Sequence, residues 1–303
     1  MKFTKKMISI IIPFHNEEEN LPLLYSRLKE VLSQLKEDHE IIFIDDGSDD
    51  KSIAELKNKN GHIKLVSHRK RFGKGRALVS GFSVSSGKII VLMDADLQDD
   101  PKEIPRFLSK INQGYDLVNG WRKQRNDPIS KTLPSSIFNF FFLKLLFRSK
   151  FHDINCGFKA LRREVLDQIP LYGDNYRFIP LIAEKGGFKT TEIPIHHHPR
   201  IYGKSKYGFF RMLFGFFDMI ATYFVYEFSE KPIHFFGPVG ILVFVIGLII
   251  TGVLLYQRIF KGMLLYRRPI LNLGVLMIIV GIQIIMTGII GELIVYFNKK
   301  NSK

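Results

Sequence analysis

Lys88-Ile89-Ile90-Val91-Leu92-Met93-Asp94-Ala95-Asp96 is the stretch that decides the fold. A short run rich in Ile and Val, closed by turn residues, reads as a buried strand. Ligands of open α/β sheets bind just outside the carboxyl ends of such strands. Two acids two residues apart at that place can converge on one hard cation. Mg²⁺ or Mn²⁺ suits carboxylate oxygens and fills its shell with water and substrate phosphate. A solvated acidic turn is the plain alternative for an isolated Asp-x-Asp.

The pattern repeats outward from this stretch. Residues 7–13 read as a first strand, too short for a secretory signal. Residues 17–35 carry helical apolar spacing through Leu21, Leu24, Leu28, Val31, Leu32 and Leu35. A second strand is expected at 40–44, before Asp45-Asp46-Gly47-Ser48, and a third at 63–67. A helix at 75–86 leads into the fourth strand at 88–93. Strands alternating with helices predict an α/β fold with a mostly parallel sheet covered on both faces.

The charge balance is +15, which suits nucleic acid, an anionic membrane surface or phosphorylated substrates. The last third separates these. Residues 233–256 and 269–291 contain no Asp, Glu, Lys or Arg. Each is long enough to cross a bilayer core, which needs about 20 residues. Gly240 and Gly247, and Gly274, Gly281 and Gly288, recur every seven residues. That spacing suits close helix packing, though helix-tolerated bystanders would look the same. Residues 207–228 carry a small-or-polar stripe (Gly208, Arg211, Gly215, Asp218, Thr222) on an otherwise apolar helix, as an interfacial helix would. Phe-rich 135–147 also looks interfacial. The lone Cys156 excludes an intramolecular disulfide framework and points to a reducing, cytosolic face.

Five pieces occur in order. They are Pro13-Phe14-His15-Asn16-Glu17, Asp45-Asp46-Gly47-Ser48, Gly73-Lys74-Gly75-Arg76-Ala77-Leu78, Met93 to Pro101, and Arg200-Ile201-Tyr202-Gly203-Lys204-Ser205-Lys206. The ordered set resembles glycosyltransferase family 2, and within it the polyprenyl-phosphate hexosyltransferases. That resemblance implies a GT-A fold and a membrane-bound inverting transferase, with a nucleotide-sugar donor, Mg²⁺ or Mn²⁺, and a polyprenyl-phosphate acceptor. It implies a nucleoside pocket at Pro13, His15, Glu17 and Asp46, and a metal and diphosphate site at Asp94, Ala95, Asp96 and Gln98. Arg122, Lys131, Arg200, Ser205 and Lys206 resemble the positions that hold diphosphate and acceptor phosphate. Asp153, in Asp153-Ile154-Asn155-Cys156-Gly157-Phe158-Lys159, matches an acidic position often proposed as a base. The expected division is a catalytic domain at 1–206, an interfacial region at 207–230, and a membrane region at 231–303 with helices near 233–256 and 270–297.

A phosphate monoester has its second pKa near about 6 and is mostly a dianion at neutral pH. A general base has little proton to remove from it. Asp153 is therefore expected to orient the acceptor, pair with a nearby Arg, or touch the metal, with a structural turn or cap as the plain alternative. Three adjacent histidines, His196 to His198, follow a strand-like segment and should point to alternate faces rather than share a metal. Cys156 reads as a small buried residue. Gly73 to Gly75 could cradle phosphate or simply cap a helix.

Other readings stay open. A processive synthase would carry Gln-x-x-Arg-Trp, and the one Trp here is Trp121, in Gly120-Trp121-Arg122. A GDP-mannose-dependent enzyme and a non-catalytic lipid-binding scaffold are the further alternatives. A nucleic-acid partner would leave the apolar spans unexplained. Basic residues divide evenly about the spans, with Arg258, Lys261, Arg267 and Arg268 between them. The multi-pass cell-membrane topology therefore rests on the cytosolic supply of nucleotide sugars, with a homo-oligomer left open.

Overall fold

A computed structural model describes residues 7–57, 63–123, 149–169, 171, 173, 175–199, 220–262, 264 and 269–301. Lys131, Arg200, Ser205 and Lys206 lie outside the described residues, as do 135–147 and the first part of 207–228. Contacts divide the chain into two compact units, Met1–Met219 and Ile220–Lys303.

The first unit is built on one seven-stranded sheet, ordered β3-β2-β1-β4-β6-β5-β7. Its strands are β1 (Ile8–Phe14), β2 (His39–Asp45), β3 (Ile63–Ser67), β4 (Ile89–Leu92), β5 (Leu117–Trp121), β6 (Lys159–Arg162) and β7 (Thr190–Pro194). β6 runs antiparallel to β4 and β5, and the other pairs are parallel. β1 and β4 are buried at every position, as expected of central strands covered on both faces. β3 is an edge strand and only half-buried. Its Lys64 lies on that edge, where a charge discourages pairing with another chain.

Register sets the site. Ile8 pairs with both His39 and Ile89, and Phe14 pairs with Asp45. The loops after β1, β2 and β4 therefore leave the sheet along one edge. Between the strands lie α1 (Leu21–Ser33), α2 (Ser52–Lys57), α3 (Lys74–Val84) and α4 (Ile104–Asn112). α1 buries Leu21, Leu24, Leu28, Val31 and Leu32, the expected apolar stripe. It begins at Leu21 rather than at residue 17. Glu17 Oε2 accepts from Asn20 Nδ2 at 2.5 Å, which closes a turn, and Pro22 suits the first helical turn because its missing N–H is not needed there. α3 crosses β1 so closely that a Cβ on Gly81 would lie 2.5 Å from Ile11. α4 stacks Phe107 on Phe158, with ring centroids 4.5 Å apart.

The second unit contains the helices Ile233–Lys261 and Pro269–Asn301, both long and apolar enough to cross a membrane. Their glycine rows meet. A Cβ on Gly240 would lie 2.8 Å from Gly281 O, and one on Gly247 2.8 Å from Gly274 O. A Cβ on Gly288 would meet Ile233 at 2.9 Å. The seven-residue glycine spacing thus marks the helix–helix contact, where small residues let two backbones approach. Residues 220–228 are helical.

Candidate active site

The loops after β1 and β2 are stitched together by hydrogen bonds of their own. Asn16 has φ of 56°, in the left-handed region that Asn tolerates better than most residues. Its backbone N–H donates to Ser48 Oγ at 3.0 Å, and its side-chain amide exchanges hydrogen bonds with Asp49. Glu17 N donates to Ser52 Oγ at 2.9 Å. Pro13 and His15 therefore sit on a fixed corner at the sheet edge, while Glu17 spends part of its carboxylate on Asn20.

Asp46 is buried and holds the loop that precedes α3. Its oxygens accept from Phe72 N at 2.9 Å, Gly73 N at 2.7 Å and His68 Nδ1 at 3.0 Å, and His68 Nε2 lies 2.9 Å from Ser80 Oγ. Gly73 needs its glycine, since its φ is 96°. This loop delivers Lys74, the first residue of α3, whose Nζ bonds Asp94 Oδ1. The Gly73–Gly75 loop thus does more than cap a helix.

Past β4, burial alternates residue by residue. Ala95, Leu97 and Asp99 are buried, while Asp94, Asp96 and Gln98 are half-exposed. The three sequence-predicted ligand positions therefore form one outward row. The turn is held by a left-handed Leu97, with φ of 60° and a fully buried side chain. Such backbone is uncommon for a branched residue and costs roughly 1–3 kcal/mol. Asp96 Oδ1 accepts from Gln98 N at 3.3 Å. Burial opposes ionisation of Asp94, but Lys74, Lys159 and Arg122 outweigh it and hold the carboxyl below its usual range.

Arg122 follows β5 and meets Asp153 in a two-pronged pair, Nε to Oδ2 at 2.7 Å and Nη2 to Oδ1 at 3.0 Å. Burial works against the Arg122 charge, and Asp153 more than restores it, so the guanidinium is firmly cationic. Asp153 is only 2 % exposed and also accepts from Asn155 N at 3.2 Å. Four residues on, Gly157 lies against the Asp94 carboxylate, where an added Cβ would come within 2.6 Å of Oδ2. Cys156 is fully buried; burial, then Asp99 and Asp153, push its thiol up, which suits a packing residue and not a nucleophile.

Asp94, Asp96 and Gln98 fit a hard cation. They offer oxygen donors in one outward row, and the glycine hollow at Gly157 leaves the Asp94 carboxylate room. Among the described residues no three acidic, His or Cys side chains form a cage. Mg²⁺ in phosphate chemistry is commonly held by one or two carboxylates, with substrate supplying further oxygens. His196 and His198 face one side, their rings 5.5 Å apart, and His197 faces the other, 3.4 Å from Asp99. His198 N donates to Gln98 O at 2.8 Å. The His tract therefore zips the loop after β4 to the segment that leads toward Arg200.

Sequence reasoning named Asp94, Asp96, Gln98, Arg122 and Asp153, and the fold gathers them on one edge. It gave no role to Lys74, Gly157, Asn119 or Lys159. Lys74 had a signal, a Lys between two glycines at a helix start. Asn119 had none, because a polar residue in an apolar strand declares itself only through its neighbours.

The seven-stranded, mostly parallel sheet is a GT-A-like α/β fold, and the chain is a glycosyltransferase. Residues 9–170 match Glycosyl transferase family 2, and the chain belongs to that family. It is 32 % identical over 294 residues to the undecaprenyl-phosphate 4-deoxy-4-formamido-L-arabinose transferase of Photorhabdus laumondii, covering 95 % of this chain and 89 % of that one. It is 30 % identical over 295 residues to the dodecaprenyl-phosphate galacturonate synthase of Rhizobium johnstonii, covering 95 % and 87 %. The fold also resembles glucosyl-3-phosphoglycerate synthase of Mycobacterium tuberculosis, crystallised with Mn²⁺, UDP-glucose and phosphoglyceric acid. The TM-score there is 0.56 at 19 % identity, over 73 % of this chain and 79 % of that one.

Proposed function

We propose that this protein transfers one sugar from a nucleoside-diphosphate sugar, with UDP the favoured carrier, to a polyprenyl phosphate at the cytosolic face of a membrane. The observation that carries the reading is the outward Asp94, Asp96 and Gln98 row, whose Asp94 bonds Lys74 and feels the charge of the Asp153-locked Arg122. Negative charge builds on the donor diphosphate as its bond to the anomeric carbon breaks. Mg²⁺ or Mn²⁺ held by Asp94, Asp96 and Gln98 would supply Lewis-acid stabilisation of that charge. Arg122 offers a planar fork of N–H donors whose orientation Asp153 already fixes. Preorganised charge of this kind is usually the largest catalytic contribution. An acceptor phosphate oxygen attacks the anomeric carbon from the opposite side, which inverts it. Arg200 and Lys206 are the proposed holders of that phosphate, with Lys131 and Ser205 beside them. The Asp153–Arg122 pair supports positioning rather than proton removal, in keeping with an acceptor that is already a dianion.

The two helices Ile233–Lys261 and Pro269–Asn301 support membrane attachment beside a lipid acceptor. The family resemblance favoured a hexose. The names of two relatives widen the panel to 4-formamido-arabinose and galacturonate. The test is thermal shift of the full chain with nucleotide sugars and Mn²⁺, followed by transfer of the binding donor's sugar to undecaprenyl phosphate. A ligand that binds only the folded state at a hundred times its Kd stabilises it by about 2.7 kcal/mol. A protein that none of the donors stabilises, and that transfers no sugar with Mn²⁺ present, would sink the reading.

A further inference from the structure

Asn119 on β5 and Lys159 on β6 are register partners. Directly opposed residues of an antiparallel pair put their side chains on the same face. Both are buried, Asn119 fully and Lys159 to 3 % exposure. Two polar side chains at the centre of a sheet are costly unless hydrogen-bonded. Here their donors converge on one loop. Asn119 Nδ2 donates to Asp153 O at 2.6 Å and to Gly120 O at 2.9 Å. Lys159 Nζ donates to Ile154 O at 3.3 Å and to Cys156 O. Only the amide nitrogen can face two carbonyl oxygens, so the orientation of Asn119 is forced. Its Oδ1 is left buried without a hydrogen-bond partner. A lost partner of that sort is a real energetic cost, tolerated here in exchange for a fixed loop.

That loop carries both halves of the site. At one end Asp153 locks Arg122. At the other, Gly157 abuts Asp94. A shift of the loop carbonyls would move the guanidinium fork and the acidic row relative to each other. We propose that Asn119 and Lys159 are a buried pair of positioning residues that set the Asp153–Gly157 loop and thereby the spacing between Arg122 and Asp94. The inference rests on the reading of Arg122 and Asp94 as donor-phosphate residues. Burial, helped by Lys74, brings the Lys159 ammonium down to about 8. The buried side chain spends two donors on backbone carbonyls, while its charge lies near Asp94 and Asp153.

The experiment compares the full-length wild type with Lys159→Met, a substitution close in length that cannot donate. Amide hydrogen exchange is read at residues 154–157 in metal-free protein. Mn²⁺-dependent UDP binding is read by calorimetry, and turnover with saturating donor. The expected result is a folded variant whose loop amides exchange about tenfold faster. UDP binding should weaken about tenfold, and turnover should fall about a hundredfold, as a misplacement near 1 Å would cause. In the Lys159→Met, Arg122→Ala double variant the loss should be less than the product of the two single losses, because both act through one unit. Unchanged loop exchange overturns the proposal. So does faster exchange with wild-type UDP binding and turnover, or losses that multiply fully. If Lys159→Met does not fold, Asn119→Ala, which frees Asp153 O in the loop and Gly120 O beside it, carries the same expectations and the same refutations. Absence of Mn²⁺-dependent UDP binding in the wild type would count against the proposed function, whereas the exchange measurement tests the loop in either case.

Discussion

The sheet carries a polar cluster at each end, and the two differ in what they leave open. At the amino ends of β1, β2 and β4, Glu40 accepts from Ser9 Oγ and Ser86 N, both at 2.6 Å, with Lys64 Nζ 2.7 Å away. Arg163 ties Gly87 O and Ser85 O to the same end, both at 2.8 Å. At the carboxyl ends, Asp94 meets Lys74, and Asp153 meets Arg122. Burial opposes ionisation of Glu40 and of Asp94 alike, and neighbouring donors hold both carboxyls below their usual range. A carboxylate paired with lysine therefore does not mark a site. The Glu40 side chain is 5 % exposed, whereas that of Asp94 is 36 % exposed and begins an outward acidic row. One cluster spends its charge on its own chain, and the other presents charge to something else.

The sharpest way to break that contrast is to empty the outward row. Asp96→Ala should cut transfer by about a hundredfold to a thousandfold or more, the scale of losing a principal electrostatic stabiliser. The protein should stay folded and membrane-bound, because Asp96 is half-exposed and outside the core. Near-normal turnover in this variant, or wild-type activity with EDTA present, would erase the distinction between the two ends.

A subtler blow leaves every ligand in place. Gly157→Ala puts a Cβ within 2.6 Å of Asp94 Oδ2, so the carboxylate or the loop must move. A displacement near 1 Å is expected to cost about a hundredfold in turnover. The Mn²⁺ concentration for half-maximal activity should rise with it. Wild-type turnover and metal dependence in Gly157→Ala would show that the hollow beside Asp94 has no functional weight.

Asp153→Asn sharpens the comparison by removing charge from a pair that resembles the Glu40 network in its burial. Asn keeps one acceptor for Arg122 but not the two-pronged bond. The expected loss is about tenfold to a hundredfold, matching a charged hydrogen bond of roughly 1.5–3 kcal/mol. The rate should still follow an acceptor ionisation near pH of about 6. A single-turnover pH–rate profile decides it. A fall near ten-thousandfold, partly recovered at higher pH or with small added bases, would make Asp153 a proton acceptor after all.

The row past β4 was legible in the sequence because its signals are local. An Ile/Val run gives the strand, and a period of two puts Asp94, Asp96 and Gln98 on one side of the chain that leaves it. The helix pair was legible through glycines every seven residues. β6 was harder. It is four residues long and gains its place by antiparallel pairing with β4 and β5, contacts separated by dozens of residues. The roles of Asn119 and Lys159 depend on that same pairing, so they could not be read before it. Asp46 shows a different limit. The resemblance implied a nucleoside contact there, and in the structure its oxygens hold the loop of Phe72 and Gly73. A loop with three donors aimed at one carboxylate is invisible until the chain folds back on itself.

The smallest effect on turnover is expected at the other end of the sheet, and it completes the comparison. Glu40→Gln keeps an acceptor for Ser9 and Ser86 but removes the charge facing Lys64. Transfer should change by less than about twofold, since the residue lies at the strand starts, away from the acidic row. Stability should fall by about 1–2 kcal/mol at neutral pH, the scale of weakening one charge-assisted hydrogen-bond network with a half-exposed lysine. The pH dependence has a definite sign. The folded-state carboxyl titrates below the usual value of 4.5, so the unfolded chain binds more protons in that window. Its stabilisation is fully present above that value and is lost as pH falls through the lower folded one. Chemical denaturation at pH 7 and at successive values below about 4.5 should therefore show the two proteins converging as acid removes what the substitution already removed. A Glu40→Gln protein that keeps wild-type stability at pH 7 and loses turnover instead would reverse the assignment of the two ends.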